Sequence, residues 1–170
     1  FKDLALKYDI GYNYINSPND KYLFKDISKN DRKISLLITN HILKKKIINK
    51  KNHLFINKHA SILPSYKGLM PYLWTKIDSA DNGVTFHLVN EKIDSGKIIY
   101  QKKFKVKFNS MIEFYLDIFD KFPFYFLESL KNLKKKNFIK PKSKKAYYTI
   151  PTNRDYSNFL KKKGNIILFN

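Results

Sequence analysis

The chain has 170 residues, a length that suits one domain, and 43% of them are hydrophobic, enough for a packed core. There is no cysteine, which excludes disulfides, thiolate metal sites and a cysteine nucleophile and is compatible with a cytoplasmic location. The formal charge is +20, no signal-peptide pattern is visible, and no apolar run approaches the roughly 20 residues of a membrane span.

A charge of +20 raises nucleic acid or an anionic membrane as partners. Its make-up argues otherwise. Only Arg32 and Arg154 are arginines, and the lysines are spread from Lys44-Lys45-Lys46 through Lys134-Lys135-Lys136 to Lys161-Lys162-Lys163. Lys, Asn, Ile and Tyr are abundant together, as in an AT-rich coding sequence. Specific readers of nucleic acid favour bidentate arginine, so the charge is not read as a dedicated footprint. It can still attract a phosphorylated substrate.

Phe1, Leu4, Ala5 and Tyr8 fall at helical spacing, so the sequence opens inside an amphipathic helix. With no initiator Met, residues are expected to precede Phe1. Asn16-Ser17-Pro18-Asn19 is a turn cluster, and a short helix is expected over residues 20–30. "ISLLIT", 34–39, is an apolar run of strand length; "NHILKKKIINKKN", 40–52, reads as loop and short helix; "LFIN", 54–57, is the next strand. Those two strands are expected to lie parallel, joined by a crossover. Pro71 opens the helix "PYLWTKID", and Asn82-Gly83 marks the turn before the strand "VTFHLVN", 84–90. A further strand follows at 97–106. Ser110 and Glu113 form a capping-box pattern that starts a long apolar-aromatic helix to Leu133, broken or kinked at Pro123. From Lys134 the tail is basic, then aromatic, and Thr152 or Asn153 caps a last short helix. These units predict an α/β fold with a Rossmann-like, mostly parallel sheet and flanking helices. One domain is expected over 1–133, with the tail 134–170 packed on or near it.

In such sheets ligands sit beyond the carboxyl ends of strands. Asn57 and His59 lie at one of these ends and share a side if the strand runs through both. An amide can donate to a developing oxyanion, and an imidazole can move protons near neutrality. Spacing alone leaves a second reading open, in which Asn57 turns the chain and His59 is a loop residue. Asp94, before Ser95-Gly96, is likewise either a turn aspartate or a carboxylate that orients a histidine. A Ser61-His59-Asp94 nucleophile scheme lacks the G-x-S-x-G elbow. The four histidines have no metal-ligand spacing, and nothing resembles a Walker or G-x-G-x-x-G loop.

Taken together, "INKHASILPSYKG", "GVTFHLVNEKIDSG" and "KIIYQ" resemble the 10-formyltetrahydrofolate-dependent formyltransferase family, whose signature is N-x-H, S-L-L-P with a nearby Gly, then G-V-T-x-H ending in D-x-G. The match covers roughly residues 34–133. The resemblance implies a formyltransferase fold and formyl transfer from 10-formyltetrahydrofolate to an amine, without metal. It implies that Asn57, His59 and Asp94 are catalytic, with Asn57 and a protonated His59 facing an oxyanion and Asp94 supporting the histidine. It places the folate beside Asn40, His41, Ile42 and Leu43, and beside Val89, Asn90, Glu91, Lys92 and Ile93. Ser61 and Gly68 would shape the turn toward the acceptor, and His87 would pack beside the site or touch substrate. The peptide Leu63-Pro64 can be cis in relatives. Family domains begin with a strand, helix and strand that have no counterpart before Phe1, so an N-terminally truncated domain is expected. The tail "YYTIPTNRDYSNFLKKKGNIIL" and "GLMPYLW" resemble stand-alone enzymes of surface-polysaccharide biosynthesis, which implies an amino-sugar nucleotide as acceptor. Methionyl-tRNA is the runner-up, glycinamide ribonucleotide the third. A catalytically silent folate-binding or basic interaction domain is the reading from outside enzymology.

Overall fold

The computed structural model describes residues 2–20, 33–39, 41–105, 107–141 and 146–167. The helix expected over 20–30 lies outside them except for its first residue, and Asn40 lies outside them too. The opening helix forms at Lys2–Lys7 (α1) but has no buried residue. Its helical spacing therefore finds no core to face among the described residues.

The apolar run "ISLLIT" becomes β1, Lys33–Leu37. It pairs in parallel with β2, His53–His59, with Leu37 opposite Asn57. The crossover carries a single helical turn, α2, Lys45–Ile48. Ile47 and Leu43 from this crossover pack with Phe55 as a small second core. After β2 come the two-residue strand β3, Lys67–Gly68, and α3, Pro71–Ile77, with Pro71 in its first turn where no N–H partner is lost. The strands β4, Gly83–Leu88, and β5, Ile98–Lys103, complete a sheet of order β1-β2-β4-β5.

The α/β class holds, but the sheet is mixed where a mostly parallel one was expected. Among the described strands β1 and β2 are parallel, while β2–β4 and β4–β5 are antiparallel. For β4–β5 the reason is connection length: residues 89–97 join them without a helix, and a connection that short returns the chain alongside itself.

The main core is aromatic. Tyr72 of α3 stacks on Phe114 at 5.0 Å, and Phe86 of β4 meets Phe122 at 5.5 Å. Phe114 and Phe122 belong to two helices, α4, Met111–Asp120, and α5, Phe122–Lys134, separated at Lys121 just before Pro123. Ser110 Oγ accepts from the N–H of Glu113 at 3.1 Å, while the Glu113 carboxylate reaches one residue further back than a capping box requires, to the N–H of Asn109 at 2.7 Å. In the tail, β6, Tyr147–Tyr148, pairs in parallel with β3. The last helix, α6, Asn153–Lys161, has a complete capping box from Thr152 and Asp155. Its Phe159 is fully buried and meets Tyr72 edge-on at 6.2 Å, inside the same core cluster.

Phe114→Ala is expected to cost about 3–5 kcal/mol in urea unfolding, and Phe159→Ala a similar amount within one cooperative transition. A separate early transition in the second variant would show that the tail unfolds on its own.

Candidate active site

Alternation along β2 puts Asn57 and His59 on one face and sends Lys58 to the other, where its ammonium lies 4.9 Å from the Phe119 ring centre. Antiparallel pairing brings His87 of β4 directly opposite Asn57. The loop 89–97 then turns back over this face. Asp94 reaches it with a left-handed φ of 44°, a conformation that aspartate tolerates better than most residues.

The Asp94 carboxylate is the meeting point. Its Oδ2 accepts the backbone N–H of Gly68 at 2.8 Å and lies 3.5 Å from His59 Nδ1. Its Oδ1 lies 3.4 Å from His87 Nε2 and 3.5 Å from Asn57 Nδ2. Both rings are oriented by backbone carbonyls. His59 Nε2 is 2.7 Å from the carbonyl of Tyr66, and His87 Nδ1 is 2.9 Å from that of Leu88. A carbonyl can only accept, so each of these nitrogens carries its hydrogen and each ring turns its second nitrogen toward Asp94. Among the described residues the Asn57 amide is engaged only by contacts of 3.5 Å, to His87 and to Asp94, and is available to a ligand.

These surroundings set the charges. Burial pushes the Asp94 carboxyl up, but the His87 hydrogen bond, the His59 charge in acid and the Gly68 N–H together outweigh it and hold the group at about 2. Burial lowers His59 below its ordinary 6.5, and the opposing pull of Asp94 and the Tyr66 carbonyl does not restore it. Resting His59 is therefore neutral at neutral pH, with an open lone pair on Nδ1. The resemblance implies a protonated His59 facing the oxyanion; at rest the shift instead favours the neutral ring. The reason is desolvation, which residue spacing does not reveal.

A cavity of about 320 Å³ opens over this face. It gathers Asn57, His59, Asp94, Gly68 and His87 with His41, Ile42 and Leu43, and with Val89, Asn90, Glu91, Lys92 and Ile93. Ser61 does not line it. Its side chain is fully buried and its hydroxyl donates to Ser65 O at 2.9 Å, so it builds the turn and does not act as a nucleophile. Leu63-Pro64 is cis. Gly68 has φ 95°, and a Cβ there would lie 2.1 Å from the Tyr148 carbonyl, so only glycine lets β6 come this close. The loop is tied at both ends. Glu91 accepts from Asn49 at 3.1 Å and pairs with Lys45 at 3.3 Å, while the buried Lys67 donates to Ser95 Oγ. Lys67, Leu69 and Tyr147 carry no signal in the sequence, because their proximity depends on the β3–β6 pairing. Among the described residues no group of His, Asp and Glu is placed to hold a metal ion, and no helix is long and apolar enough to cross a membrane.

A strand-end amide, two carbonyl-fixed imidazoles and a buried carboxylate thus meet in one cleft of an α/β sheet. Residues 34–119, half of the chain, match the family described as Formyl transferase, and the chain belongs to that family. It is 34% identical over 89 residues to the methionyl-tRNA formyltransferase of Thermodesulfovibrio yellowstonii, a match covering 52% of this chain but only 29% of that protein. Among solved structures it resembles a 4-N formyltransferase from Francisella tularensis, with TM-score 0.68, 22% identity, and coverage of 95% of this chain and 71% of that one. It also resembles a formyltransferase from Anoxybacillus kamchatkensis in complex with UDP-4,6-dideoxy-4-formamido-L-AltNAc and tetrahydrofolate, with TM-score 0.63, 22% identity, and coverage of 94% and 84%.

NMR titration is expected to place the His59 pKa below 6.5, and Asp94→Asn to lower it further, because the carboxylate raises it. A rise in the variant would contradict the pairing. Asp94 is depressed from 3.8 to about 2, so its stabilisation is complete above 3.8 and is lost as pH falls through about 2. The loss should reach about 2 kcal/mol and be missing from Asp94→Asn. His59, also depressed, works in the same direction, its contribution being full above 6.5 and lost on acidification.

Proposed function

We propose that the protein transfers a formyl group from 10-formyltetrahydrofolate to the primary amine of a nucleotide-linked amino sugar. The observation that carries this reading is the single cavity in which Asn57, His59 and Asp94 converge beside the segments 41–43 and 89–93. Leu37, Ile42, Leu43, Ile48 and Val89 give that end apolar walls, and the loop backbones add polar groups, a setting suited to a flat heteroaromatic ring. 10-Formyltetrahydrofolate supplies the formyl carbon.

The chain's own residues then divide the work. The Asn57 amide donates a hydrogen bond where negative charge develops on the formyl oxygen. The acceptor amine forms the new C–N bond and loses a proton; the bond to folate N10 breaks and N10 gains one. His59 Nδ1, held against Asp94 and unprotonated at rest, is the group placed to take up the amine's proton. Asp94 then faces an imidazolium and offsets its charge, so the proton is held between Nδ1 and Oδ2 until it is passed on. His87, locked by the Leu88 carbonyl, keeps Asp94 in place.

The resemblance of the tail and of "GLMPYLW" to polysaccharide-cluster enzymes, together with the sugar-nucleotide complex of the Anoxybacillus neighbour, supports an amino-sugar acceptor. A second reading, methionyl-tRNA, is favoured by relatives such as the Thermodesulfovibrio protein and by the +20 charge.

The test is formyl transfer by the intact protein with 10-formyltetrahydrofolate and either a dTDP-linked amino sugar or methionyl-tRNA. Asn57→Ala, His59→Ala and Asp94→Asn are each expected to lower kcat/KM at least ~100-fold. Full turnover in all three would remove the mechanism. Activity confined to methionyl-tRNA and strongly salt-dependent would replace the sugar acceptor.

A further inference from the structure

Tyr147 lines the cavity of Asn57, His59 and Asp94, although it stands in the tail beyond α5. It is held there by its backbone. Lys67 N–H donates to the Ala146 carbonyl at 3.0 Å and Leu69 N–H to the Tyr148 carbonyl at 3.1 Å, which locks β6 against β3. Strand alternation sends the two tyrosines of β6 opposite ways. Tyr148 stacks between Tyr66 at 5.3 Å and Trp74 at 4.8 Å, and its hydroxyl donates to Asp78 at 3.3 Å. Tyr147 is left 55% exposed, so packing has not consumed its ring. The edge of that ring lies over Gly68, with Cε2 3.0 Å from where a Cβ would stand. Gly68 is the residue whose N–H holds Asp94.

The cavity is walled by 41–43 and by the loop 89–93, which is fastened through Glu91 to Lys45 and Asn49. It is walled also by Gly68, Leu69 and Tyr147. Given the folate placement proposed above, on which this inference rests, this second wall is left for the acceptor. We propose that Tyr147 binds the acceptor by stacking the hexose ring that carries the reacting amine. A tyrosine is suited to this, since its face is apolar toward sugar C–H groups and its hydroxyl meets sugar hydroxyls at the rim. The position beside the Asp94 anchor selects the hexose over the distant base of the nucleotide.

The experiment is calorimetric binding of dTDP-4-amino-4,6-dideoxyglucose to the intact protein, to Tyr147→Ala and to Tyr147→Phe, with tetrahydrofolate present. Tetrahydrofolate affinity is measured alongside, and thermal melting confirms folding. Tyr147→Ala is expected to weaken sugar-nucleotide binding ~10-fold and Tyr147→Phe only ~2- to 3-fold, with tetrahydrofolate affinity unchanged in both. In turnover the Ala variant should raise KM for the amino sugar while kcat stays close to wild type. Unchanged sugar-nucleotide affinity in Tyr147→Ala, an equal loss of tetrahydrofolate affinity, or no sugar-nucleotide binding by wild type would each overturn the assignment. A loss confined to methionyl-tRNA would also overturn it. Binding that responds to Tyr147 without any formyl transfer would sustain the subsite and sink the reaction instead.

Discussion

An ionised carboxylate in a site that leaves 9% of its side chain accessible is costly unless its oxygens are met by donors, and Asp94 imposes that condition on the rest of the cleft. The groups that meet it come from three separate places. The Gly68 N–H comes from β3, the Asn57 amide and the His59 ring from β2, and the His87 ring from β4. None of these would point at a common spot without the β2–β4 pairing that sets His87 opposite Asn57, or without the loop 89–97 turning back at a left-handed Asp94. The buried charge therefore acts as a geometric requirement: displace the Gly68 N–H or the Asn57 amide and the carboxylate loses a donor in a site with little access to water.

The requirement spreads outward through Tyr66 and Gly68. Tyr66 contributes its carbonyl to His59 and its ring to the stack on Tyr148, and its hydroxyl donates to Asp78 at 3.1 Å. Gly68 contributes its N–H to Asp94 while lying under the Tyr148 carbonyl. A strand of only two residues is marginal by itself. Here β3 is held because β6 pairs with it and Phe159 of α6 anchors the same tail in the main core. Packing at one end of the chain thus sets the tautomer of a histidine and the orientation of an aspartate far away in sequence.

How much of this is legible in the sequence follows from what each feature depends on. Strands such as "ISLLIT", the cap at Ser110, the break before Pro123 and the cap at Thr152 are local, and they form within a few residues of where the pattern puts them. The shared side of Asn57 and His59 is also local, a matter of period two. The choice of Asp94 as their partner is not local, and it comes from the order of several short motifs rather than from any one. The sheet direction at β4 and β5, the buried Lys67 and the arrival of Tyr147 are properties of long-range pairing, and no neighbouring residue announces them. The downward pull on the His59 pKa escapes the sequence because its largest cause is desolvation, and burial is an outcome of folding.

The lysine-rich composition looks different once the lysines near the site are placed. Lys58 turns its ammonium away from the cavity, over the rings of Phe119 and Tyr115, and burial lowers its pKa. Its positive charge nonetheless bears on the next residue, and it is one of the influences that lower His59. Lys67 is buried on Ser95, at the end of the loop that carries Asp94. In both cases the cation serves the framework and presents no charge to a phosphate. Attraction of an anionic acceptor, whether a sugar nucleotide or tRNA, would then have to come from the exposed lysines, whose long-range field is screened by salt within about 10 Å. Such a field speeds encounter with any anion and discriminates poorly among them. Net charge is for that reason a weak guide to the proposed acceptor, and discrimination between anions would have to come from short-range contacts in the cavity.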